Sequence, residues 1–327
     1  MNHRILELLE QQSGAYLSGE LLSQELQISR TAIWKQIKKL EEAGYQIEAS
    51  RRLGYRLTGK PDRLSPQELT LKLQSKEVTL IKSIRCFDSV DSTQNIAQRL
   101  AEDGAPEGTL IVAEQQTSGR GRLGRKWVSP SGKGVYMSFI LRPGMPLHFA
   151  PQLTLLTAVA LCRALRSVAA PLDIGIKWPN DLLIGGKKIS GILLESTAEE
   201  ERLRYVIAGI GISVNLTADD FPPELHDIAT SLRNELGKPL DRSEIVASFF
   251  DQFEQLYEVY QREGFAPIKM LWEALSVTLH KPTRLFLASG ETIATPIGLN
   301  EQGALLARKS DGTIVPIFSS EQVPPAG

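Results

Sequence analysis

The sequence predicts a multidomain α+β protein, with a small helical module first, a large mixed-sheet region next, and short β-strands last. Three observations carry this. The chain has 327 residues, more than one ordinary compact domain holds. Apolar residues recur at helical spacing over the first 43 positions and then alternate. Beyond residue 67, helices and strands follow one another without the strict rhythm of a doubly wound parallel sheet.

The composition is 42 % hydrophobic and 23 % charged, which supports a core and argues against disorder. A net charge of −1 excludes a uniformly basic protein, so any nucleic-acid surface must be a local patch. Cys86 and Cys162 are the two cysteines and form no C-x-x-C pair, which suits a reducing compartment. Glu7 and Glu10 interrupt the first apolar stretch, so no signal peptide is expected. No stretch approaches the roughly 18 apolar residues of a membrane helix. A cytoplasmic protein without a membrane partner is expected.

Domain one is expected at residues 1–60. Ile5, Leu6, Leu8 and Leu9 define a short helix over 3–10, ending near Ser13-Gly14. Ser18 can cap a second helix that runs to Leu26, and Ser29 a third, from Arg30 to Ala43, before Gly44. Ile33, Ile37 and Leu40 give the third helix an inward face. Its other face carries Arg30, Thr31, Lys35, Gln36, Lys38 and Lys39. "YQIEASRRLGYRL" then alternates like two strands around a turn, with Arg51 and Arg52 at its tip. This is the pattern of a winged helix-turn-helix whose third helix enters the major groove. A small helical docking domain with a solvated lysine face would share the charge run. "LTGKPDRLSPQEL", with Pro61 and Pro66, is the natural linker.

The central region is expected over 67–279: a helix at 67–75, strands near 84–87, 109–114 and 135–141, and a long apolar helix over 151–169. Strands follow at 174–178, 181–184, 190–196 and 204–214, with a hairpin around "GGKK". Within this region "GRGRLGRKW" (119–127) formally satisfies G-x-G-x-x-G. A dinucleotide turn needs a helix opening within it and an acid about 20 residues on. "KWVSPSG" cannot open a helix, and no Asp or Glu occurs between Glu114 and Asp173. What remains is a glycine-hinged loop bearing Arg120, Arg122, Arg125 and Lys126, suited to a phosphate-bearing ligand. Alone, it could equally be a flexible basic surface loop.

Three further stretches bear on that choice. "DSVDSTQN" (88–95) puts Ser92 and Thr93 at a helix N-terminus, as a ligand contact or a simple cap. "IKWPNDLLIGGKKISGILLE" (176–195) crowds Lys177, Trp178, Asn180 and Asp181 between strands. "GIGISVN" (209–215) interrupts a strand with glycines, marking close approach by a ligand or a packing detail.

In this order the four stretches resemble the biotin–protein ligases. With the amino-terminal module, they resemble the bifunctional class that also represses biotin genes. The likeness covers essentially the whole chain. It implies a catalytic α+β domain related to class II aminoacyl-tRNA synthetases and lipoate ligases, followed by an SH3-like β-barrel. Residues 280–327 suit the barrel independently, with short strands and turns at Ser289-Gly290, Asn300-Glu301 and Asp311-Gly312.

The resemblance also implies a two-step chemistry. Biotin and ATP form biotinoyl-5′-AMP, and a lysine of a biotin carboxyl carrier domain, from acetyl-CoA carboxylase or a related carboxylase, then takes the biotinoyl group. Mg²⁺ would accompany the phosphates. Ser92, Thr93, Gln116, Arg120, Arg122, Lys188 and Gly191 match the biotin site. Arg122, Arg125, Trp127, Asn180, Ser213 and Asn215 match the nucleotide and phosphate site. Lys188, Arg122 and Asp181 are implied catalytic groups, Lys188 as chief electrostatic catalyst, with Lys187 solvated. Arg30, Thr31, Lys35, Gln36, Lys38, Arg51 and Arg52 would bind operator DNA, with the protein as a homodimer joined at the edge of the central sheet. The chain departs from the family pattern at Gln94, which precedes Asn95, and at Ser213, where asparagine is usual. Two other readings stay open: a biotin sensor without catalysis, and a ligase for lipoate or another carboxylate.

Overall fold

Ser18 and Ser29 decide where the second and third helices begin. The computed structural model describes residues 2–12, 14–42, 45–50, 52–59, 63–287, 290–318 and 321–323. The chain divides into two compact units, Met1–Leu71 and Lys72–Gly327.

In the first unit, α1 (Asn2–Gln11), α2 (Gly19–Leu26) and α3 (Arg30–Glu42) precede a hairpin of β1 (Gln46–Ser50) and β2 (Gly54–Gly59). Ser18 Oγ accepts the Leu21 N–H, and Ser29 Oγ accepts that of Ala32, satisfying amides that the first turns leave open. Gln27 ends α2 in the left-handed conformation. Ile5, Leu9, Leu22, Ile33, Ile37 and Leu40 then meet in one core. The hairpin is held to that core by paired Leu17–Tyr55 backbone bonds of 2.8 and 2.9 Å. Gly54 permits this, because a Cβ there would stand 2.0 Å from the Leu17 carbonyl oxygen. Ser13, Ala43, Gly44 and Arg51, and Lys60, Pro61 and Asp62 of the linker, lie outside the described residues.

The division between units falls within α4 (Pro66–Ser75). The second unit is built on a seven-stranded mixed sheet of β3 (Ser83–Phe87), β4 (Thr109–Ala113), β5 (Val135–Leu141), β6 (Ile174–Lys177), β7 (Asp181–Ile184), β8 (Lys187–Glu199) and β9 (Arg202–Ile212). Their order is β3-β4-β5-β9-β8-β7-β6, and the β3–β4 pair alone is parallel. Alternation along β5 assigns the two faces. Ile140 packs in a cluster with Ala97 and Ala101 of α5 (Thr93–Glu102). Phe139, its neighbour, meets Phe249, Phe250 and Phe253 edge-on at 5.0–5.9 Å. Those rings belong to α8 (Arg242–Glu263), which packs with α6 (Ala150–Val168).

The hairpin expected around "GGKK" turns on two residues, Gly185 and Gly186, both at positive φ as a tight hairpin turn requires. Lys187 and Lys188 therefore lie within β8, which starts three residues before the expected strand. Residues 216–279 carry elements beyond the strands and helices that the sequence predicts for the central region. They form α7 (Leu232–Leu236), α8 and α9 (Ala266–Leu275) together with short turns. The carboxyl-terminal strands β10 (Thr283–Leu287), β11 (Gly290–Leu299), β12 (Leu305–Lys309), β13 (Ile314–Ile317) and β14 (Glu321–Val323) make an antiparallel sheet in the order β13-β12-β11-β10-β14. Glu273 Oε1 of α9 accepts the Leu299 N–H, and Gln152 Nε2 donates to the Glu301 carbonyl, which ties this sheet to the helices.

At the first turn of α8, Arg242 is buried at 1 % exposure and forks onto Glu114, with Nη1–Oε2 2.8 Å and Nη2–Oε1 3.4 Å. Its Nη1 also donates to the Gly134 carbonyl. Removing one member of a buried pair strands the other charge and costs roughly 3–5 kcal/mol. We expect that loss from Glu114→Ala in urea unfolding, and a partial recovery in Glu114→Gln combined with Arg242→Met. A loss below about 1 kcal/mol, the value of an exposed pair, would contradict this role.

Candidate functional site

The mixed sheet carries a cavity of about 470 Å³, within the range of small-molecule sites. Its lining draws on the start of α5, the 116–128 loop, the β7–β8 hairpin, β9 and the 221–229 segment.

The polar floor is a prebuilt network. Ser92 caps α5 by accepting the Gln94 N–H, and Gln116 Oε1 accepts the Thr93 N–H at 2.9 Å. Gln116 Nε2 donates to Ser129 Oγ. The Thr93 hydroxyl lies 2.8 Å from Ser138 Oγ, which in turn donates to Gln94 Oε1. Gln94 Nε2 contacts the carbonyls of Leu193 and Ile207 on adjacent strands. Beside this floor, the Asn95 amide and the Ser92 N–H hold the Asp91 carboxyl below the usual carboxylate range.

The 119–127 segment folds back on itself. Trp127 N–H donates to the Gly119 carbonyl at 2.9 Å, and Gly121 N–H to the Arg125 carbonyl at 2.7 Å. Leu123, at φ 58°, forms the tip and is largely exposed. The cations diverge: Arg120 reaches Asn95 Oδ1 at 2.7 Å and Glu195 at 3.5 Å, while Arg122 Nη1 donates to Asn180 Oδ1 at 3.2 Å. Arg125 also lines the cavity.

The Trp127 indole lies against β9 and supplies an apolar wall. A Cβ on Gly211 would come within 2.5 Å of that ring, and one on Gly209 within 2.4 Å of Gln94 Oε1. The glycine-interrupted strand thus makes room for two of the chain's own side chains. Trp127 Nε1 is buried without a hydrogen-bond partner among the described residues.

Opposite the loop, the β7–β8 hairpin aligns Lys188 Nζ with Asp181 Oδ1 at 2.7 Å. The same ammonium stands 5.4 Å from the Trp127 ring centre, a cation–π distance. Its backbone is braced by the 228–230 segment, through Lys188 N–H to the Ile228 carbonyl and Thr230 N–H to the Lys188 carbonyl. Asn180 exchanges hydrogen bonds with Ile192 through its amide and its carbonyl. Gly191 faces Asp181 across the hairpin. Lys187 is not simply solvated: its ammonium donates to the His226 carbonyl at 2.8 Å.

Of the residues singled out from the sequence, all but Asn215 of the biotin and nucleotide sets line this one cavity. Asn215 spends its amide on the backbone of Leu240, donating from Nδ2 and accepting at Oδ1, each at 2.9 Å. Ser213 lines the cavity and is buried. Sequence reasoning missed Ser138, visible only through strand parity, and the apolar set Phe221, Leu225 and Ile228. Those three punctuate a polar, proline-bearing segment, which was their signal. Among the described residues no cluster of three or more His, Cys, Asp or Glu side chains stands ready for a metal, and no helix is long and apolar enough to cross a membrane.

On the first unit, Arg30, Thr31, Lys35 and Lys38 are exposed on α3, with Gln36 half-buried beside them. Arg30 pairs with Glu20 at 2.9 Å and Lys38 with Glu41 at 2.5 Å. Arg52 is exposed in the hairpin turn, and Arg51 lies outside the described residues.

Comparison with known proteins agrees with both surfaces. Residues 86–213 match the Biotin/lipoate A/B protein ligase family and residues 2–56 an HTH domain. The bifunctional ligase/repressor BirA of Bacillus spizizenii is 44 % identical over 317 residues, covering 97 % of this chain and 96 % of the relative. That of Escherichia coli is 31 % identical, covering 94 % and 93 %. The biotin protein ligase of Aquifex aeolicus, in complex with biotin and ATP, superposes with a TM-score of 0.63 at 34 % identity, covering 74 % of this chain and 98 % of that one. A likeness that runs through both units, in the order the four site stretches occur, leaves one assignment: the chain belongs to the bifunctional ligase/repressor class of biotin protein ligases.

Proposed function

We propose that the cavity joins biotin to ATP as biotinoyl-5′-AMP and passes the biotinoyl group to a lysine on a biotin carboxyl carrier domain of acetyl-CoA carboxylase or a related carboxylase. The first unit would hold operator DNA of biotin genes, in a cytoplasmic homodimer. The observation that carries the reading is the wall where Lys188, Asp181, Asn180 and Arg122 converge in a cavity otherwise floored by neutral hydrogen-bonding groups.

In the first step a biotin carboxylate oxygen attacks the α-phosphorus, a new acyl–phosphate bond forms, and pyrophosphate leaves with the electrons of the broken P–O bond. Lys188 and the loop arginines would lower the repulsion between carboxylate and phosphates and stabilise the charge that develops. Ser92, Thr93 and Gln116 would orient the neutral end of biotin, with the Trp127 ring as an apolar side wall. The Asn180 side-chain oxygen lines the cavity and would be a hard donor of the kind Mg²⁺ takes together with phosphate oxygens and water. Bound there, Mg²⁺ would offset phosphate charge. In the second step a neutral acceptor amine attacks the acyl carbon and AMP leaves. A lysine with an ordinary pKa of about 10.4 must first lose a proton, and Asp181 is the carboxylate we assign to receive it.

Lys188→Ala should lower biotin-dependent exchange of pyrophosphate into ATP by roughly 100- to 1,000-fold, as loss of a preorganised charge donor does. A rate within a few-fold of an active parent would remove Lys188 from its role, and a parent without exchange would favour a sensor without catalysis. Arg122→Gly should release the adenylate faster while leaving the ligand-free melting temperature nearly unchanged, because this half-buried arginine lines the cavity, where it bonds Asn180, and lies outside the hydrophobic core. Biotin and ATP together, unlike either alone, should shield 116–128 from proteolysis in the parent and less so in that variant. Finally, a ligand that strengthens dimers must bind dimers more tightly. Sedimentation with and without both substrates should show a tighter dimer with them, and an unchanged dimer constant would remove adenylate-linked dimerisation.

A further inference from the structure

Helix α3 buries Ile33, Ile37 and Leu40 in the core of the first unit, which fixes the direction of its opposite face. That face carries Thr31, Trp34, Lys35 and Lys38 at helical spacing, flanked by Arg30 and Lys39. Trp34 is out of place among them. Its side chain is 52 % exposed, whereas Trp178 and Trp272 are buried. What singles it out is its place: the indole stands on the cationic outer face of the helix that follows the α2–α3 turn, where it meets whatever that face binds.

The surrounding charge narrows what that is. Arg30 and Lys38 have acidic neighbours, Glu20 and Glu41, but Lys35 and Lys39 carry no salt bridge among the described residues. The net cationic face suits a polyanion. Trp34 also opens the second turn of the helix that follows the α2–α3 turn, and the first turns of such a helix meet base edges in the major groove. The major groove floor offers one apolar group, the C5 methyl of thymine. Arg30, one turn before the indole, and Lys38, one turn after it, can reach phosphates while the ring lies on the floor.

We propose that Trp34 reads thymine by packing its indole against the C5 methyl group in the major groove. This rests on the reading of the first unit as an operator-binding module, and it assigns a specificity residue to that module.

The test uses the full chain with biotin and ATP. A randomised duplex pool is enriched on the parent protein, and each thymine of the selected duplex is then replaced by deoxyuridine, which removes only the methyl group. We expect one thymine per half-site at which uracil weakens the parent about fourfold, the value of one buried methyl group. Trp34→Ala should show no penalty at that position, and Trp34→Phe a reduced one. Lys35→Ala should bind every duplex more weakly with the uracil penalty intact. Equal uracil penalties in the parent and Trp34→Ala overturn the assignment while the DNA-binding reading stands. So does a Trp34→Ala protein that binds DNA as the parent does but changes its self-association, which would make this face a contact between copies. Failure to enrich any duplex overturns the DNA-binding reading and the Trp34 assignment with it.

Discussion

Arg242 and Glu114 meet almost without water under the end of β4, and the arginine-bearing loop of the cavity starts and stops on that contact. Glu114 is the first residue after β4, where the chain leaves the sheet, and the Gly134 carbonyl, also held by Arg242, lies just before it re-enters at β5. Glu114 further closes the base through its carbonyl, which accepts the Gly132 N–H, and its amide, which donates to Phe87. The excursion from 115 to 134 carries Gln116, the arginines and Trp127. Its feet are therefore fixed by a charge-assisted fork in a low-dielectric setting, where such bonds are strongest. Asp241 caps the same helix by accepting the Ser243 and Glu244 amides, so α8 presents Arg242 at a defined height. Lys72 adds ion pairs to Asp241 and Glu244 from outside.

The other half of the site is set by steric demand. Gly209 and Gly211 alternate on one face of β9, and the space each leaves is filled by a side chain from a different element, Gln94 and Trp127. Gln94 in turn satisfies strand carbonyls and accepts from Ser138, so the floor under Thr93 is rigid through hydrogen bonds and close packing together. This gives the Gln94 departure a structural account. A longer amide than asparagine spans from α5 to the carbonyls of both Leu193 and Ile207, which a shorter side chain at that position would reach less readily.

Local chemistry was legible where periodicity and caps agree. The first three helices, the wing hairpin, α6 and the "GG" turn followed from apolar spacing, Ser18, Ser29 and paired glycines. The mixed character of the sheet followed from the missing strand–helix rhythm. Helices α8 and α9 went unassigned although Asp241 and the spacing of Ile245, Phe249, Phe253 and Leu256 announce the first of them. Pairing information was beyond the sequence: nothing local says that Arg242 belongs to Glu114, 128 positions away. The same limit applies inside the site. Asn215 sits in a motif beside the cavity yet bonds Leu240, because strand parity and the path of the next loop decide which neighbours of a motif face a ligand.

The arrangement of charge bears on how the cavity can admit an anion. Like cations in a nine-residue loop would repel if they shared one space, but Arg120 turns to Asn95 and Glu195 and Arg122 to Asn180, while Lys188 of β8 pairs with Asp181. These partners are neutral amides or single carboxylates, and the half-exposed Arg120–Glu195 pair contributes at most about 1 kcal/mol. A phosphate that accepts two guanidinium forks at once offers more than it displaces. Exchange of contacts, rather than approach of free charges, is then what binding requires. Lys188 differs from the arginines because its backbone is clamped on both sides by Ile228 and Thr230 while its ammonium is held between Asp181 and the Trp127 ring. A charge fixed at its root and restrained at its tip needs little reorganisation when a transition state forms beside it, and that is the property an electrostatic catalyst requires.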